Sequence, residues 1–594
     1  MITSSRVQIR QIQRIKTKQT NNKQTKKKKK KSKNQKFRKS EKSPKKIKLS
    51  QPMFVLQILI ALASALITQL FITDLRQYLK TNFYKKQKIS TNLYKGYITQ
   101  TLELILSLLL CRSPRQNKFS NPKKGFKKGQ RTDIVLRSNL LNGNKLELVL
   151  TDLGLVKHFL NVESEFTVKI PSSSQENLNI LGFLKRSEKG VVETGRKVLK
   201  AFFEDQDHWK QFLTSIEEIV ENEISGPFLK RIEKSRLRRV RANLNTELIA
   251  PLLAKFSSSI LLGSDDLRDH QVNGTTFPMA VNGLIQVALI PDLANNLTFG
   301  LLRRVGFKPK LEKFSKLRLK LLKYLKKEYS RRVGLRDRGL EWRAKHFNFL
   351  DFYIDVEVAR KSGKGSLQGL KGLGDGFGGL SAVLSYMEIF QFFALEKIRR
   401  LVVSFLRVLA LNKNKQVTEK LLKHIFAEIL KNSQNDENGD FEVFVKDKLL
   451  ESSFKEVIRL SSPVPGTSFR LIFKNYKLKG IQLKKGDLIS CSLNDCFKEP
   501  ASIPNPEEFK PERWLSSPTH QKEYLEKIEP LLYTSGSERG CVGQGFSRVV
   551  SKAIICGILK KFRMEVIDQN EGDEEFMKYS MDDNVILRAR SIQK

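Results

Sequence analysis

The feature that most constrains this chain of 594 residues is a single cysteine, Cys541, in a glycine-rich basic loop. Arg539 and Gly540 precede the cysteine, Gly543 follows it, and an apolar helical run begins directly afterwards. A thiolate is stabilised by positive potential and by backbone N–H donors, and this loop offers both. Gly543 also has no side chain that would block a flat ligand. The loop therefore fits a cysteine bound axially to a haem iron, although a small buried cysteine at a helix start is the commoner arrangement.

An acid and a base stand one helical turn apart about 80 residues upstream of the cysteine. Glu456 and Arg459 lie near the end of a helical pattern that stops at Pro463 and Pro465. Such a pair usually lies on a solvated surface, but apolar residues flank this one on both sides. A buried ion pair requires further partners, and the proline-rich stretch of residues 506–514 offers Arg513.

The order Glu-x-x-Arg, then Pro-x-x-Phe-x-Pro-Glu-Arg-Trp, then a glycine-flanked cysteine resembles the cytochrome P450 superfamily of haem-thiolate enzymes. A strand-turn-strand pattern from Lys477 to Ile489 also resembles that family, and the likeness is strongest from about Leu450 to Lys560. The resemblance implies that Cys541 is the fifth ligand of the haem iron and that its thiolate favours O–O cleavage. It implies a structural role for Glu456, Arg459 and Arg513, which would lock the helix and the following segment around the haem.

The resemblance also implies that arginines pair with the haem propionates, a contact suited to the fork of a guanidinium. Arg539 matches the basic residue two positions before the cysteine. Arg196 matches an arginine of an upstream helix, although Val192 stands where the family usually has tryptophan. Arg470 is a third candidate, and an exposed strand arginine is its alternative interpretation.

Two positions depart from the family pattern. In the cysteine loop, Tyr533 and Gly536 each lie one residue farther from Cys541 than expected, which indicates a single inserted residue. In the long central helix, the best match to the oxygen-activating motif is residues 394–398, where Lys397 replaces the acid and Ile398 the threonine. Glu396 is the candidate catalytic acid, acting through water, and a charged turn on a diverged helix is the alternative.

The resemblance implies a monooxygenase that inserts one oxygen atom of O2 into an apolar substrate, with electrons from NADPH through a reductase. Because Ile398 replaces the threonine, a haem-thiolate isomerase or peroxygenase acting on oxygenated lipids is an alternative. A haem-binding protein without turnover is a second alternative. A basic face around Arg548 and Lys552 is the predicted docking surface for an acidic reductase.

The formal net charge of +48 is concentrated at the start of the chain, where residues 1–50 contain about 20 basic residues and one acid. This polar stretch is predicted to be disordered, because it cannot build a core. A nucleic-acid-binding arm is the alternative, but the uncharged apolar run of residues 53–72 favours a membrane, and no nucleic acid partner is expected. That run has about the 20 residues needed to span a bilayer. We expect an anchor there rather than a cleaved signal peptide, because the run continues past Ala63-Ser-Ala65.

The predicted fold class is mainly α with small β-sheets, a haem-thiolate fold preceded by a transmembrane anchor. The predicted domains are a disordered basic extension (1–52), the anchor (53–73), a membrane-proximal linker (74–130) and a catalytic domain (131–594). The resemblance to microsomal relatives implies anchoring in the endoplasmic reticulum, with the catalytic domain facing the cytosol. Five sparse cysteines indicate no disulfide framework, and six scattered histidines show no metal-ligand spacing.

Overall fold

The structure is a computed structural model that describes only part of the chain. The described residues are 78–87, 89–93, 131–139, 145–169, 189–204, 206–284, 312–362, 379–411, 414–433, 447–464, 466, 470–533, 540–566 and 584–589. The chain divides into a unit of residues 1–71 and a unit of residues 72–594, and every described residue lies in the second. The predicted basic extension and anchor lie outside the described residues. Within the described ranges, no helix has both the length and the apolarity to cross a membrane.

The described residues are mainly helical with several small sheets, as predicted from the sequence. Helix α1 (Leu153–Phe166) follows its N-cap residue Asp152, whose side chain accepts a hydrogen bond from Leu155 N. The helices are α1 (Leu153–Phe166), α2 (Lys189–Phe203), α3 (Gln206–Val220), α4 (Gly226–Lys234), α5 (Ala250–Leu262), α6 (Glu312–Asp337), α7 (Phe349–Ser362), α8 (Leu380–Ile389), α9 (Leu395–Ala410), α10 (Lys415–Ser433), α11 (Lys448–Leu460), α12 (Leu493–Phe497), α13 (Thr519–Leu532) and α14 (Gln544–Lys561).

The largest sheet has six strands in the order β1-β2-β3-β11-β8-β4. Within this sheet β2 and β3 form an antiparallel pair, and β11 runs parallel to β3. A second sheet has the order β12-β13-β5, and β9–β10 and β6–β7 are two-stranded. The strands are β1 (Ile89–Leu93), β2 (Arg131–Asn139), β3 (Lys145–Leu150), β4 (Thr167–Lys169), β5 (Val240–Asn243), β6 (Gln271–Val272), β7 (Thr275–Thr276), β8 (Arg470–Ile472), β9 (Tyr476–Leu478), β10 (Ile481–Leu483), β11 (Leu488–Cys491), β12 (Phe562–Val566) and β13 (Asn584–Ala589).

Residues upstream of the predicted catalytic domain belong to this sheet. Strand β1 pairs with β2, and the fully buried Tyr84 from the helical residues 78–86 donates a hydrogen bond of 2.7 Å to Asp487 Oδ2. Burial, together with Asp487, raises the pKa of Tyr84 above its ordinary range. The compact unit therefore includes residues before 131, where the sequence analysis placed the start of the catalytic domain.

The predicted strand-turn-strand pattern from Lys477 to Ile489 is confirmed. Strands β9 and β10 form a hairpin at Gly480, and a second turn at Gly486 leads into β11. Both glycines have φ near +90°, at 85° and 92°, a conformation in which a side chain would be strained.

An aromatic cluster joins the helices that surround the cysteine loop. The ring of Phe203 on α2 stacks on Phe390, with 5.7 Å between centroids, and lies 4.8 Å from Phe546 on α14. Phe390 opens a π-helical turn, Phe390–Ala394, which connects α8 to α9 and makes one nearly continuous helix, as the sequence predicted. These buried rings fix the start of α14 against α2 and the central helix.

Candidate functional site

Cys541 lies just before the first turn of α14, whose N-cap is Gly543. Its side chain is exposed to solvent, yet the surrounding protein desolvates the thiol enough to raise its pKa above the ordinary value. A thiol that faces an accessible space within the protein is both exposed and surrounded by protein atoms. A hydrogen bond from the Gly543 backbone and the charge of Arg196 act in the opposite direction, by stabilising the thiolate. The cysteine is therefore reachable by a ligand and has the donors that a metal-bound thiolate requires.

Arg196 lies beside the cysteine loop, and its role towards a haem propionate stays a prediction. Its Nη1 donates a hydrogen bond of 2.7 Å to the carbonyl oxygen of Gly540, and α2 carries it there from a position 344 residues away in sequence. This contact joins α2 to the cysteine loop. Arg539, the other arginine predicted near the haem, lies outside the described residues, as do residues 534–538, so the one-residue insertion in this loop stays a prediction.

Two glycines shape the surface next to Cys541. Among the described residues, a Cβ atom placed on Gly543 would meet only Phe203 Cδ2, at 4.0 Å, so these residues leave space beside Gly543. At Gly545 a Cβ atom would lie 2.8 Å from the ring of Trp209, closer than real side chains approach. Trp209 in turn donates from Nε1 to the carbonyl oxygen of Phe203 at 2.6 Å. The requirement for glycine at position 545 was not predicted, although a second glycine two residues after Gly543 is visible in the sequence.

The thiol, its stabilising donors and the open face together fit a thiolate-bound haem. Cys541 offers an accessible sulfur, Arg196 offers a guanidinium close to the same loop, and the described residues leave space at Gly543. A bound metal cation would itself favour the thiolate over the thiol, which offsets the effect of desolvation.

The predicted charge cluster forms around the fully buried carboxylate of Glu456. Arg459 donates to both of its oxygens, from Nε and Nη2, each at 2.9 Å, and Arg513 Nε donates to Oε1 at 3.2 Å. Two further donors that the sequence analysis missed are the backbone N–H of Lys510 at 3.2 Å and Trp514 Nε1 at 3.0 Å. Five donors therefore satisfy one buried carboxylate, and this is the condition under which a buried charge is stable.

The remaining nitrogens of the two arginines bind carbonyl oxygens of the segment before the cysteine loop. Arg459 Nη1 donates to Phe497 at 3.1 Å and to Pro506 at 2.7 Å, and Arg513 donates to Pro504 at 2.6 Å and to Asn505 at 2.8 Å. The cluster thus fixes the path of the backbone between α12 and α13, which leads towards Cys541. These residues are structural, as expected, because their donors are used within the protein.

The predicted basic docking face around Arg548 and Lys552 is wrong. Glu451 on α11, a position that the sequence analysis did not consider, forms ion pairs with both residues, and the Lys552 side chain is only 1% exposed. Tyr533 also donates to Glu451, at 3.2 Å. Burial raises the pKa of Glu451, but Lys552 and Arg548 outweigh it and hold that pKa below its ordinary value. The two bases therefore attach α14 to α11 inside the protein and do not offer a surface to a partner.

Arg470 lies in β8 and is buried, so its interpretation as an exposed strand residue does not hold. Its Nε donates to Glu163 Oε2 of α1 at 2.9 Å. This ion pair joins β8 to the end of α1, next to the edge strand β4, and the role of Arg470 towards a haem propionate stays a prediction.

Glu396 occupies the first turn of α9, directly after the π-helical turn. Its carboxylate accepts hydrogen bonds of 2.7–2.8 Å from Arg399 and Arg400, one turn farther along the helix. Burial raises the pKa of Glu396, but the two arginines outweigh it and hold that pKa below its usual value. In this arrangement the carboxylate stays ionised at neutral pH, which disfavours proton donation.

The two residues after Glu396 also differ from an oxygen-activating pair. The Lys397 ammonium donates to the Pro463 carbonyl at 3.0 Å, and burial lowers its pKa. Ile398 is fully buried in the apolar core. The described residues thus contain no hydroxyl at the position where the family threonine was expected.

A family model described as Cytochrome P450 matches residues 403–589, which contain the Glu456 cluster and Cys541. Psoralen synthase of Pastinaca sativa is 31% identical over 171 residues, and cytochrome P450 26A1 of Xenopus laevis is 28% identical over 157 residues. These alignments cover 29% and 26% of this chain, and 35% and 31% of the two relatives. The chain therefore matches only about a third of the length of these curated relatives.

A solved structure, the retinoic acid-bound cyanobacterial CYP120A1, shares the fold over a larger part of the chain. The match has a TM-score of 0.51 and covers 77% of this chain and 92% of the solved chain, at 17% sequence identity. The likeness in fold thus extends well upstream of the segment in which sequence similarity is found.

Proposed function

We propose that this chain, which belongs to the cytochrome P450 superfamily, is a haem-dependent monooxygenase that inserts one oxygen atom of O2 into an apolar substrate. The observation that carries the proposal is the environment of Cys541. An accessible sulfur lies at the start of an 18-residue helix, beside a backbone N–H donor and within the electrostatic reach of Arg196. This is the donor set of a thiolate ligand.

When bound, the haem would supply an iron centre at which dioxygen is activated, with the thiolate increasing the electron density at the metal. Cys541 would hold the iron from one side, and Gly543 would leave room for the macrocycle. Arg196, and the predicted Arg539 and Arg470, would hold the propionates. Glu456, Arg459 and Arg513 would keep the segment that leads to Cys541 in place.

Proton delivery is the step for which this chain departs most from its family. Glu396 remains the predicted acid, but its carboxylate is occupied by two arginines, and Ile398 offers no hydroxyl. A haem-thiolate isomerase or peroxygenase acting on oxygenated lipids needs no such relay. The burial of Ile398 is the observation that favours this second candidate function.

The electron donor of the leading function would be a reductase of the NADPH-cytochrome P450 reductase type. The 20-residue uncharged run of residues 53–72 supports anchoring in a membrane, from which an apolar substrate would enter. We propose the endoplasmic reticulum, with the catalytic domain facing the cytosol. Because Arg548 and Lys552 are paired internally, the reductase would dock elsewhere.

Turnover of a panel of apolar substrates separates the two candidate functions. The monooxygenase requires both NADPH and a reductase, and the Cys541→Ala variant should be inactive under all conditions. Full turnover with a hydroperoxide alone, or rearrangement of a lipid hydroperoxide without any electron donor, would overturn the monooxygenase proposal and support the alternative. Turnover under none of these conditions, in a preparation that has incorporated haem, would overturn both.

A further inference from the structure

Three potential ligand side chains converge at a place remote in sequence from the cysteine loop. Glu218 lies near the end of α3, Asp265 follows α5, and His346 lies in the segment between α6 and α7. One ligand atom from each residue lies within 4.8 Å of the other two. Motif spacing in the sequence does not reveal this group, because the three residues come from separate parts of the chain.

His346 has an unsatisfied ring nitrogen directed into this cluster. Its side chain is only 8% exposed, and Nε2 has no hydrogen-bond partner among the residues that the structure describes. The carboxylate oxygen Oδ1 of Asp265 lies 3.5 Å from Nε2. This distance is too long for a good hydrogen bond. A buried nitrogen without a partner is costly unless a ligand satisfies it.

The backbone that carries the His346 ring is held in place by two hydrogen bonds. Its N–H donates to the Gly263 carbonyl at 3.1 Å, and its own carbonyl accepts from Asn348 Nδ2 at 2.9 Å. Gly263 has φ of 86°, and a Cβ atom there would lie 2.2 Å from Ala344 Cβ. The segment therefore packs directly on the end of α5 and presents a preorganised nitrogen.

The ammonium group of Lys345 lies close to both carboxylates. Lys345 Nζ is 2.6 Å from Glu218 Oε2 and 3.9 Å from Asp265 Oδ1. Two acids therefore attract positive charge to this place. The lysine side chain is 58% exposed, so it can rotate into solvent when another cation enters.

We propose that Glu218, Asp265 and His346 form a binding site for a divalent transition metal ion such as Zn²⁺. One imidazole nitrogen and two carboxylate oxygens are ligands that Zn²⁺ accepts, with water completing the coordination. The bound ion satisfies Nε2 of His346 and displaces Lys345. It also links α3 to the end of α5 and to the segment before α7, so the site is structural and separate from the haem chemistry.

The test measures Zn²⁺ binding to the purified full chain at neutral pH by equilibrium dialysis, together with the change in melting temperature on adding Zn²⁺. The wild type should bind one Zn²⁺ more tightly than His346→Gln, by at least about tenfold, since loss of even an indirect ligand contact commonly costs 10- to 100-fold. Zn²⁺ should raise the melting temperature of the wild type and not that of the variant. Equal stoichiometry, affinity and thermal shift in the two proteins would overturn the proposal.

Further variants distinguish a built site from general binding to acidic groups. Glu218→Gln should weaken Zn²⁺ binding as His346→Gln does. Because the Glu218 side chain is 41% exposed, this variant should fold even where the histidine variant does not, and the test then stays informative. Lys345→Gln should tighten binding about two- to fivefold, because it removes an exposed competing ion pair. His424→Gln is the matched control, since His424 Nε2 is already paired with Asp447 at 2.7 Å. Equal weakening by the control and by His346→Gln would overturn the site.

Discussion

Replacing the buried carboxylate at the centre of the charge cluster tests how the segment before Cys541 is held. In Glu456→Gln the shape of the side chain is kept, but the negative charge is lost and one acceptor oxygen becomes an NH2 donor. In one orientation of the amide its NH2 group would face Arg459 Nη2 and Arg513 Nε, and in the other it would face Arg459 Nε and Trp514 Nε1. All four of these atoms are donors themselves. Removing one partner of a buried ion pair costs about 3–5 kcal/mol. We expect a loss of that size in the free energy of unfolding.

Urea unfolding followed by circular dichroism measures this loss, as a lower midpoint at an unchanged slope. Glu512→Gln is a matched control one residue before Arg513, because Glu512 pairs with Lys420 at 3.3 Å and both side chains are substantially exposed. An exposed pair contributes about 0–1 kcal/mol, so the control should stay within that range. If Glu456→Gln is as stable as Glu512→Gln, then five donors on one buried carboxylate do not stabilise the fold and the reasoning is refuted.

Three further predictions concern the helices around the site. Lys552 and Arg548 lower the pKa of Glu451, so the ionised carboxylate stabilises the fold above the ordinary pKa of glutamate, about 4.3, and this contribution is lost as pH falls through the lowered value. The loss of stability caused by Glu451→Gln, measured by urea unfolding, should therefore shrink between pH 7 and pH 3. A loss that does not depend on pH would contradict the pairing with Lys552. Gly545→Ala should lower the free energy of unfolding by about 1–3 kcal/mol, because the added methyl group overpacks against the ring of Trp209. A melting temperature above that of the wild type would contradict this and would show that the ring moves freely. Ile398→Thr should lower the free energy of unfolding by about 1–3 kcal/mol, because it buries a hydroxyl group. It should not increase oxygen-dependent turnover. A gain in turnover without a loss of stability would contradict this and would place residue 398 beside the oxygen-binding face.

The charge cluster was predictable because each of its two charged segments has a local sequence pattern. Glu456 and Arg459 are one helical turn apart, and Arg513 stands in a proline-fixed segment that limits its conformations. The contributions of Lys510 N and Trp514 were not visible, because they depend on the turn Pro511–Trp514 that directs a backbone N–H and an indole towards the same carboxylate. Motif spacing identifies the charged partners but not the neutral donors that complete the site.

The predicted docking face was wrong for a reason that sequence spacing cannot reveal. Arg548 and Lys552 are four residues apart on one helix, which is equally typical of a solvated basic face and of an internal contact. The acid that pairs with Lys552 lies 101 residues upstream, and only the packing of α11 against α14 brings them together. In the same way, Glu163 and Arg470 are 307 residues apart and meet where α1 leads into the sheet.

The absorption spectrum of the reduced, carbon monoxide-bound protein tests most directly whether Cys541 is the thiolate ligand of a haem. The wild type should show the Soret shift typical of a thiolate-bound haem, and Cys541→Ala should lose it. Cys556→Ala is a suitable control, because this buried cysteine lies in the body of α14 and its loss should leave the shift unchanged. No such shift in a wild-type preparation that has incorporated haem, or a shift that survives Cys541→Ala, would contradict the account.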